Sequence, residues 1–247
     1  MRALWKLTLV QAKLYLREPM GAFFTLLFAP LMLILFGFLR GNAPDPQLGG
    51  RGMVDVAVPA YIGLIIATVG LMSVPIHTAA RREVGALRRF RATPLRPLTY
   101  IVGDVLVYFV MTLLGILILF LVGKIMYDVR FEGNLLYVLV GFCLGASAFF
   151  ALGYILAGLS PTARVAQMMG TVLFYPMIFL SGATWPLEFL PQAVRNVARF
   201  IPLTYVVALL KGLWFGGGWG EHLTNVAILV GMLVVGAAVA ARTFRWE

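Results

Sequence analysis

The residues with the clearest potential for binding chemistry lie in the stretch RREVGALRRFRATPLRP, residues 81–97. It holds six of the chain's 20 basic residues and a single acid, Glu83. Guanidinium groups bind anionic groups through charge-assisted hydrogen bonds, and clustered arginines are attracted to anionic lipid headgroups. This stretch therefore supports recognition of a charged surface, either of a membrane or of a partner protein.

Sequence signatures of catalytic and nucleotide-binding sites are missing from the chain. It contains no P-loop, no H-E-x-x-H and no G-x-S-x-G string, and its one cysteine, Cys143, excludes an intrachain disulfide and a cysteine-based metal site. Asp104 and His77 lie near the ends of apolar runs rather than at their centres, and we expect His77 to be solvated by lipid headgroups. We expect no catalytic residue, metal or cofactor in this chain, so active transport would need energy from a partner.

The composition places the chain in a membrane. Its residues are 61% hydrophobic and 12% charged, with a mean hydropathy of +0.93, whereas soluble domains are about 45–50% apolar and about 25% charged. The net charge of +10 comes from basic residues at the ends of apolar runs. This charge pattern indicates membrane topology rather than a nucleic-acid partner.

Six segments are long and apolar enough to cross about 30 Å of hydrocarbon as helices. They are residues 21–39, 56–80, 105–123, 133–163, 165–187 and 222–241. The sequence therefore predicts an all-α membrane protein with six transmembrane helices, in which residues 21–247 form a single six-span transmembrane domain.

Two further segments are predicted to lie at the membrane surface. Residues 1–20 combine basic side chains with apolar residues at helical spacing, which predicts an N-terminal interfacial helix that bends at Glu18 and Pro19. Residues 188–220 contain a short amphipathic helix and then an apolar run too short to span, interrupted by Pro202 and a triglycine. We expect this part to form outer re-entrant helices.

Charge asymmetry orients the chain. With the N-terminus in the cytoplasm, 13 of the 20 basic residues lie inside and 7 lie outside. Both termini are then cytoplasmic, and residues 81–97 form the only long cytoplasmic loop. Within that loop, Val84 and Leu87 recur at helical spacing up to about Arg91, and Pro94 would end the helix. A polybasic membrane anchor explains the arginines but not Glu83 or Gly85.

Two strings resemble one transporter family. The loop string Glu83-x-Gly85-Ala86-Leu87-Arg88-x-x-Arg91-Ala92-Thr93-Pro94-Leu95 resembles the E-x-G-[TA]-L-x-R-x-x-[AS]-[TS]-P pattern of type-2 ATP-binding-cassette (ABC) transporter permeases. The string FYPMIFLSGATWPLEFLPQAVRNVARFIPLTYVVALLKGLWFGG is similar to that family's fifth span and outer re-entrant helices. The loop form L-R-R-F-R-A-T-P-L is most similar to daunorubicin-resistance-like drug exporter permeases.

The resemblance implies a permease subunit that is not itself an enzyme. It would form a homodimer, or a heterodimer with a similar permease, in the cytoplasmic membrane of a prokaryote, and pair with a separate ABC ATPase that binds ATP and magnesium. The loop would be a coupling helix seated on that ATPase. The ATPase-coupling residues implied are Arg82, Glu83, Gly85, Leu87, Arg88, Arg91, Thr93 and Pro94.

The cargo expected for such an exporter is hydrophobic or amphiphilic, drug-like or lipid-like, as in multidrug resistance. Apolar and aromatic side chains would line its pathway, and the candidates are Tyr61, Phe174, Tyr175 and Phe179. These rings could equally pack helices or form an interfacial belt. The alternatives are a lipid-linked glycan or sodium exporter permease of the same architecture, a non-transporting membrane anchor for an ATPase, and an intramembrane enzyme.

Overall fold

The structure, a computed structural model, describes residues 2–85 and 97–243. It is 82% helical, and within the described ranges the only β pairing is an isolated bridge between Asp45 and Arg51. In chain order, the helices are α1 (Arg2–Leu16), α2 (Pro19–Leu26), α3 (Phe28–Arg40), α4 (Met53–Thr68), α5 (Val74–Glu83), α6 (Pro97–Tyr127), α7 (Leu135–Leu159), α8 (Ala163–Leu180), α9 (Gln192–Ala198), α10 (Pro202–Trp214) and α11 (Leu223–Thr243).

Five helices among the described residues are long and apolar enough to cross a membrane, and they coincide with the second to sixth predicted spans. They are Met53–Glu83, Val102–Tyr127, Leu135–Leu159, Ala163–Leu180 and Trp219–Arg242. The prediction of an all-α membrane protein is confirmed.

The first predicted span is not one continuous helix. Residues 21–39 are divided between α2 and α3, which meet at Leu27. Pro30, in the first turn of α3, has no N–H to donate to the Leu26 carbonyl, and its ring would clash with that carbonyl in a continuous helix. The helix therefore breaks one turn before this proline.

The second span is the central helix of the bundle, and 94% of an apolar stretch of 18 residues within it is buried. A π-helical turn, Val69–Ser73, separates α4 from α5. Pro75 cannot donate to the Leu71 carbonyl, which explains why the helix widens here. A Cβ added at Gly153 would lie 2.2 Å from the Gly70 carbonyl oxygen, and one at Gly170 would lie 2.3 Å from that of Leu71. The widened turn can therefore pack against α7 and α8 because Gly153 and Gly170 have no side chain.

The glycines of α7 also allow other helices to pack closely against it. A Cβ at Gly141 would lie 2.8 Å from a Leu213 methyl group, and one at Gly145 would lie 3.1 Å from Val206. Both contacts are made with α10, so the G-x-x-x-G register serves close packing inside this chain.

The segment predicted to be re-entrant forms α9 and α10, which are bent by 96°. Pro202 is the first residue of α10, where its missing N–H is tolerated. The 13 residues of α10 rise only about 20 Å, less than the hydrocarbon thickness of about 30 Å. Its leucines are buried in the bundle, including Leu203, Leu209, Leu210 and Leu213, which are fully buried. A short buried helix of this kind is typical of a re-entrant element.

Candidate functional site

The described part of the arginine-rich loop is its base, where α5 ends. Arg82, Glu83 and Gly85 lie in the described residues, and Glu83 and Val84 are exposed. The other implied coupling residues, Leu87, Arg88, Arg91, Thr93 and Pro94, lie outside them. Gly85 has a φ of +66°, and its N–H donates to the Arg82 carbonyl at 3.0 Å. The glycine thus gives the second-span helix a left-handed end, a role that its position in the loop motif did not reveal.

Arg81 joins α5 to two other helices through a buried carboxylate. Its Nη1 donates to Asp104 Oδ1 of α6 at 2.5 Å, and the Asp104 side chain is only 2% exposed. The hydroxyl of Tyr154, on α7, donates to the other oxygen of Asp104 at 3.2 Å. A buried carboxylate needs such partners because the interior does not solvate its charge.

Arg82 makes a second connection to α7. Its Nη2 donates to the carbonyl of Ser160, the residue that follows the last turn of α7. The positive charge is favoured there because carbonyl groups without helical partners give the C-terminal end of a helix a partial negative charge. Together, Arg81 and Arg82 fix the last turn of α5 to α6 and α7; we call the contacts of these two arginines the loop-base clamp.

A second cluster joins α1 to the second span at the same end of the bundle. His77 donates to the Glu18 carboxylate, and its side chain is 11% exposed. The His77 ring packs edge-on against Tyr15 at 5.1 Å and stacks with Tyr108 at 6.2 Å between ring centroids. The expectation of a headgroup-solvated histidine is therefore wrong, because a carboxylate and two aromatic rings surround this imidazole.

The hydroxyl of Tyr15 continues this cluster. It shares hydrogen bonds with Thr25 Oγ1 at 2.6 Å and Ser73 Oγ at 3.1 Å, so that α1 is tied to α2 and to the π-helical turn. Burial raises the pKa of Tyr15, which keeps the hydroxyl protonated. The hydrogen bond from His77 lowers the pKa of the Glu18 carboxyl, which therefore stays ionised.

A cavity of about 410 Å³ opens beside this cluster, between α2, the second span and α8. Phe174 and Tyr175, two of the four predicted pathway residues, line it, and their rings meet at 5.7 Å between centroids. Phe179 lies about one turn further along α8, half exposed and outside the lining. Tyr61 is 1% exposed in the core and does not line the cavity either. The structure thus brings together two of the four predicted residues.

The sequence did not predict that polar residues, Glu18, Ser73 and His77 among them, line this cavity. Glu18 marked only a bend, and Ser73 was not considered at all. Glu18 and His77 are 59 residues apart, and no sequence spacing links residues on different helices. Their positions at the ends of neighbouring apolar segments were the only available signal.

The opposite end of the bundle, which is predicted to face outward, holds a different polar cluster. Asp55 is 3% exposed and accepts hydrogen bonds from Asn42 Nδ2 at 3.2 Å and the Arg130 backbone N–H at 2.9 Å. Asn42 Oδ1 accepts from the N–H groups of Val54 and Asp55, and its Nδ2 also donates to the Tyr127 carbonyl. This cluster, the outer clamp, joins the loops after α3 and α6 to the start of α4.

Metal binding finds no support in the part of the chain that the structure describes, which has no group of three or more His, Cys, Asp or Glu side chains that could hold an ion.

The family of the chain follows from comparison with known proteins. Residues 2–215 match the model of the ABC-2 type transporter family. The chain belongs to this family. The resemblance carried by the loop and the re-entrant segment is thereby confirmed, and the chain is a multi-pass membrane protein of the ABC-2 permease type.

Several curated proteins are similar to this ABC-2 chain. Nodulation protein J of Rhizobium leguminosarum bv. viciae is 32% identical over 101 residues, which are 41% of this chain and 38% of that protein. The probable multidrug ABC transporter permease YbhS of Escherichia coli K12 is 23% identical over 180 residues, 72% of this chain and 48% of the relative. The inner membrane transport permease YhhJ of the same organism is 22% identical over 182 residues, 69% and 49%. The chain spans about half or less of the length of these relatives.

Proposed function

We propose that this chain is the membrane subunit of an ATP-driven exporter. It moves a hydrophobic or amphiphilic substrate, drug-like or lipid-like, across the cytoplasmic membrane, and both of its termini lie in the cytoplasm. A separate ABC ATPase binds ATP and magnesium, and two permease chains, identical or similar, form the pathway. Membership of the ABC-2 family and the similarity to two transport permeases support this function.

The loop-base clamp is the observation that carries the mechanism. A partner that displaces residues 86–96 pulls on the last turn of α5, and Arg81 and Arg82 connect that turn to α6 and α7. The displacement therefore reaches three helices together. A flexible tether would absorb such a motion, whereas short charged contacts transmit it. Glu83 and Val84 are exposed at this position, where a partner protein can reach them.

Transport per ATP hydrolysed, measured in proteoliposomes, tests the proposal. The chain is purified with the ATPase that accompanies it, and Glu83→Lys and Leu87→Asp are compared with the unmodified complex. Both changes place an unfavourable charge or polar group at the proposed ATPase contact. We expect the transport ratio to fall about tenfold or more, while the variants still insert and form dimers.

Glu132→Lys is the matched control, because it makes the same charge change at an exposed position predicted to face outward. It should leave the ratio unchanged. Normal transport by both loop variants would contradict the coupling role of the loop. An ATPase that binds the chain but moves no substrate would instead indicate a non-transporting anchor.

A further inference from the structure

The cavity between α2, the second span and α8 is lined by both polar and aromatic side chains. Its volume of about 410 Å³ lies within the range of about 300–1,000 Å³ that is typical of small-molecule sites. Glu18, His77 and Ser73 are among the polar residues of the lining, and Phe24, Phe174 and Tyr175 provide the aromatic rings. Such a cavity suits a ligand that has both a large apolar body and a polar or charged group.

The charges around the cavity favour a positively charged ligand. Glu18 is the only carboxylate among the described residues that line it. Arg81 acts electrostatically on Glu18, but its guanidinium is paired with Asp104. The Glu18 side chain remains 42% exposed beside His77, so it can take a second partner from the cavity.

The apolar walls also suit a positively charged ligand. Aromatic rings attract cations placed over their faces, and Phe174 and Tyr175 meet edge-to-face, so that their planes have different orientations at the cavity. Met72 adds a polarisable thioether from the π-helical turn, and π-helical turns are frequent at functional sites.

We propose that this cavity binds amphiphilic organic cations and that Glu18 is its charge-selecting residue. The inference rests on the proposed function and names the substrate class of that exporter. His77 holds the Glu18 carboxylate when the cavity has no ligand, and a bound cation competes with His77 for that carboxylate. Removal of the histidine therefore leaves Glu18 more available to the cation.

A pair of probes with the same shape and opposite charge tests this selection. The permease alone, in lipid nanodiscs without an ATPase, is titrated with tetraphenylphosphonium and with tetraphenylborate, and empty nanodiscs measure partition into lipid. We expect the unmodified protein to bind the phosphonium more tightly than the borate. Glu18→Gln should weaken phosphonium binding about three- to tenfold without weakening borate binding.

Three further variants distinguish charge selection from a structural role of the Glu18–His77 pair. His77→Gln should strengthen phosphonium binding, which a merely structural role for the pair does not predict. Glu18→Asp keeps the charge and should keep the preference for the cation, which separates charge selection from misfolding. Glu188→Gln, the matched control, removes a carboxylate that is also paired with a base but lines a different cavity, and it should leave the affinity for both probes unchanged.

The result that overturns the inference is equal affinity for the two probes, or a Glu18→Gln variant that weakens both equally. Because no ATP is used, that result leaves the exporter function standing. The converse result, selective cation binding together with a failure of ATP-driven transport, supports the cavity's ligand class and contradicts the proposed function.

Discussion

The outer clamp, at the predicted outer end of the bundle, binds mainly backbone groups, whereas two of the contacts at the predicted cytoplasmic end join charged side chains to one another. Asn42 and Asp55 together engage the N–H groups of three residues and one carbonyl. The cytoplasmic end is held by the side-chain pairs Arg81–Asp104 and Glu18–His77, and by the contact of Arg82 with the Ser160 carbonyl.

This difference has a mechanical consequence. Three of the four backbone groups, those of Val54, Asp55 and Tyr127, belong to helices that fix their positions, so the outer clamp restricts the geometry of the loops. Side-chain pairs can exchange partners when helices shift, because long side chains have several rotamers. We therefore infer that the outer clamp preserves the arrangement of the helices, whereas the partly exposed Glu18–His77 pair at the predicted cytoplasmic end can exchange partners.

The largest effect is expected from Asp104→Ala at the loop base. The change leaves the mostly buried Arg81 guanidinium without its carboxylate, which typically destabilises a protein by about 3–5 kcal/mol. Thermal unfolding in detergent measures the loss. The double variant Arg81→Met with Asp104→Leu removes both charges and should recover most of the stability, and a double variant as unstable as the single one would contradict the role assigned to the pair.

Asp55→Ala should have the next largest effect, at the outer clamp. It removes the acceptor of the Arg130 N–H and of Asn42, and hydrogen bonds to a charged group contribute about 1.5–3 kcal/mol each. We expect a loss of about 2–3 kcal/mol in the same unfolding assay. The surviving folded protein should keep its transport ratio per ATP, and a fall in that ratio would break the distinction between the two ends.

The smallest effect is expected at the Glu188–Lys211 pair, which lies in the segment predicted to be re-entrant. Burial would raise the pKa of Glu188, but the hydrogen bond and charge of Lys211 outweigh it, so the pKa is lowered from 4.5. A lowered pKa in the folded state contributes stability above pH 4.5, and that stability is lost as the pH falls through the folded pKa.

Glu188→Gln should abolish this pH dependence. Unfolding curves of the two proteins should converge below the folded pKa and separate modestly at neutral pH, because the pair is partly exposed. Identical curves at every pH would show that Lys211 contributes nothing through Glu188.

The sequence predicted what depends on local composition. Five spans were located because about 20 consecutive apolar residues leave few alternatives to a membrane helix. The break at Leu27 was missed, although Pro30 is visible in the sequence, because membrane helices tolerate proline in many contexts.

The contacts between helices could not be predicted from the sequence. Arg81 could be counted as a cytoplasmic charge, but its pairing with Asp104 depends on how α5 and α6 pack. The same holds for Asn42, which lies in a loop and had no expected role. Tyr61 satisfied the chemistry of a pathway residue, yet its position in the core separates it from Phe174 and Tyr175.

The most direct test of the account is the number of substrate molecules moved per ATP by the Arg81→Met, Asp104→Leu double variant in proteoliposomes with its ATPase. This variant removes the charged pair of the loop-base clamp without leaving a buried charge. The account predicts that ATP hydrolysis continues while transport per ATP falls about tenfold or more. An unchanged ratio would contradict it, because the ATPase would then drive the permease without this pair.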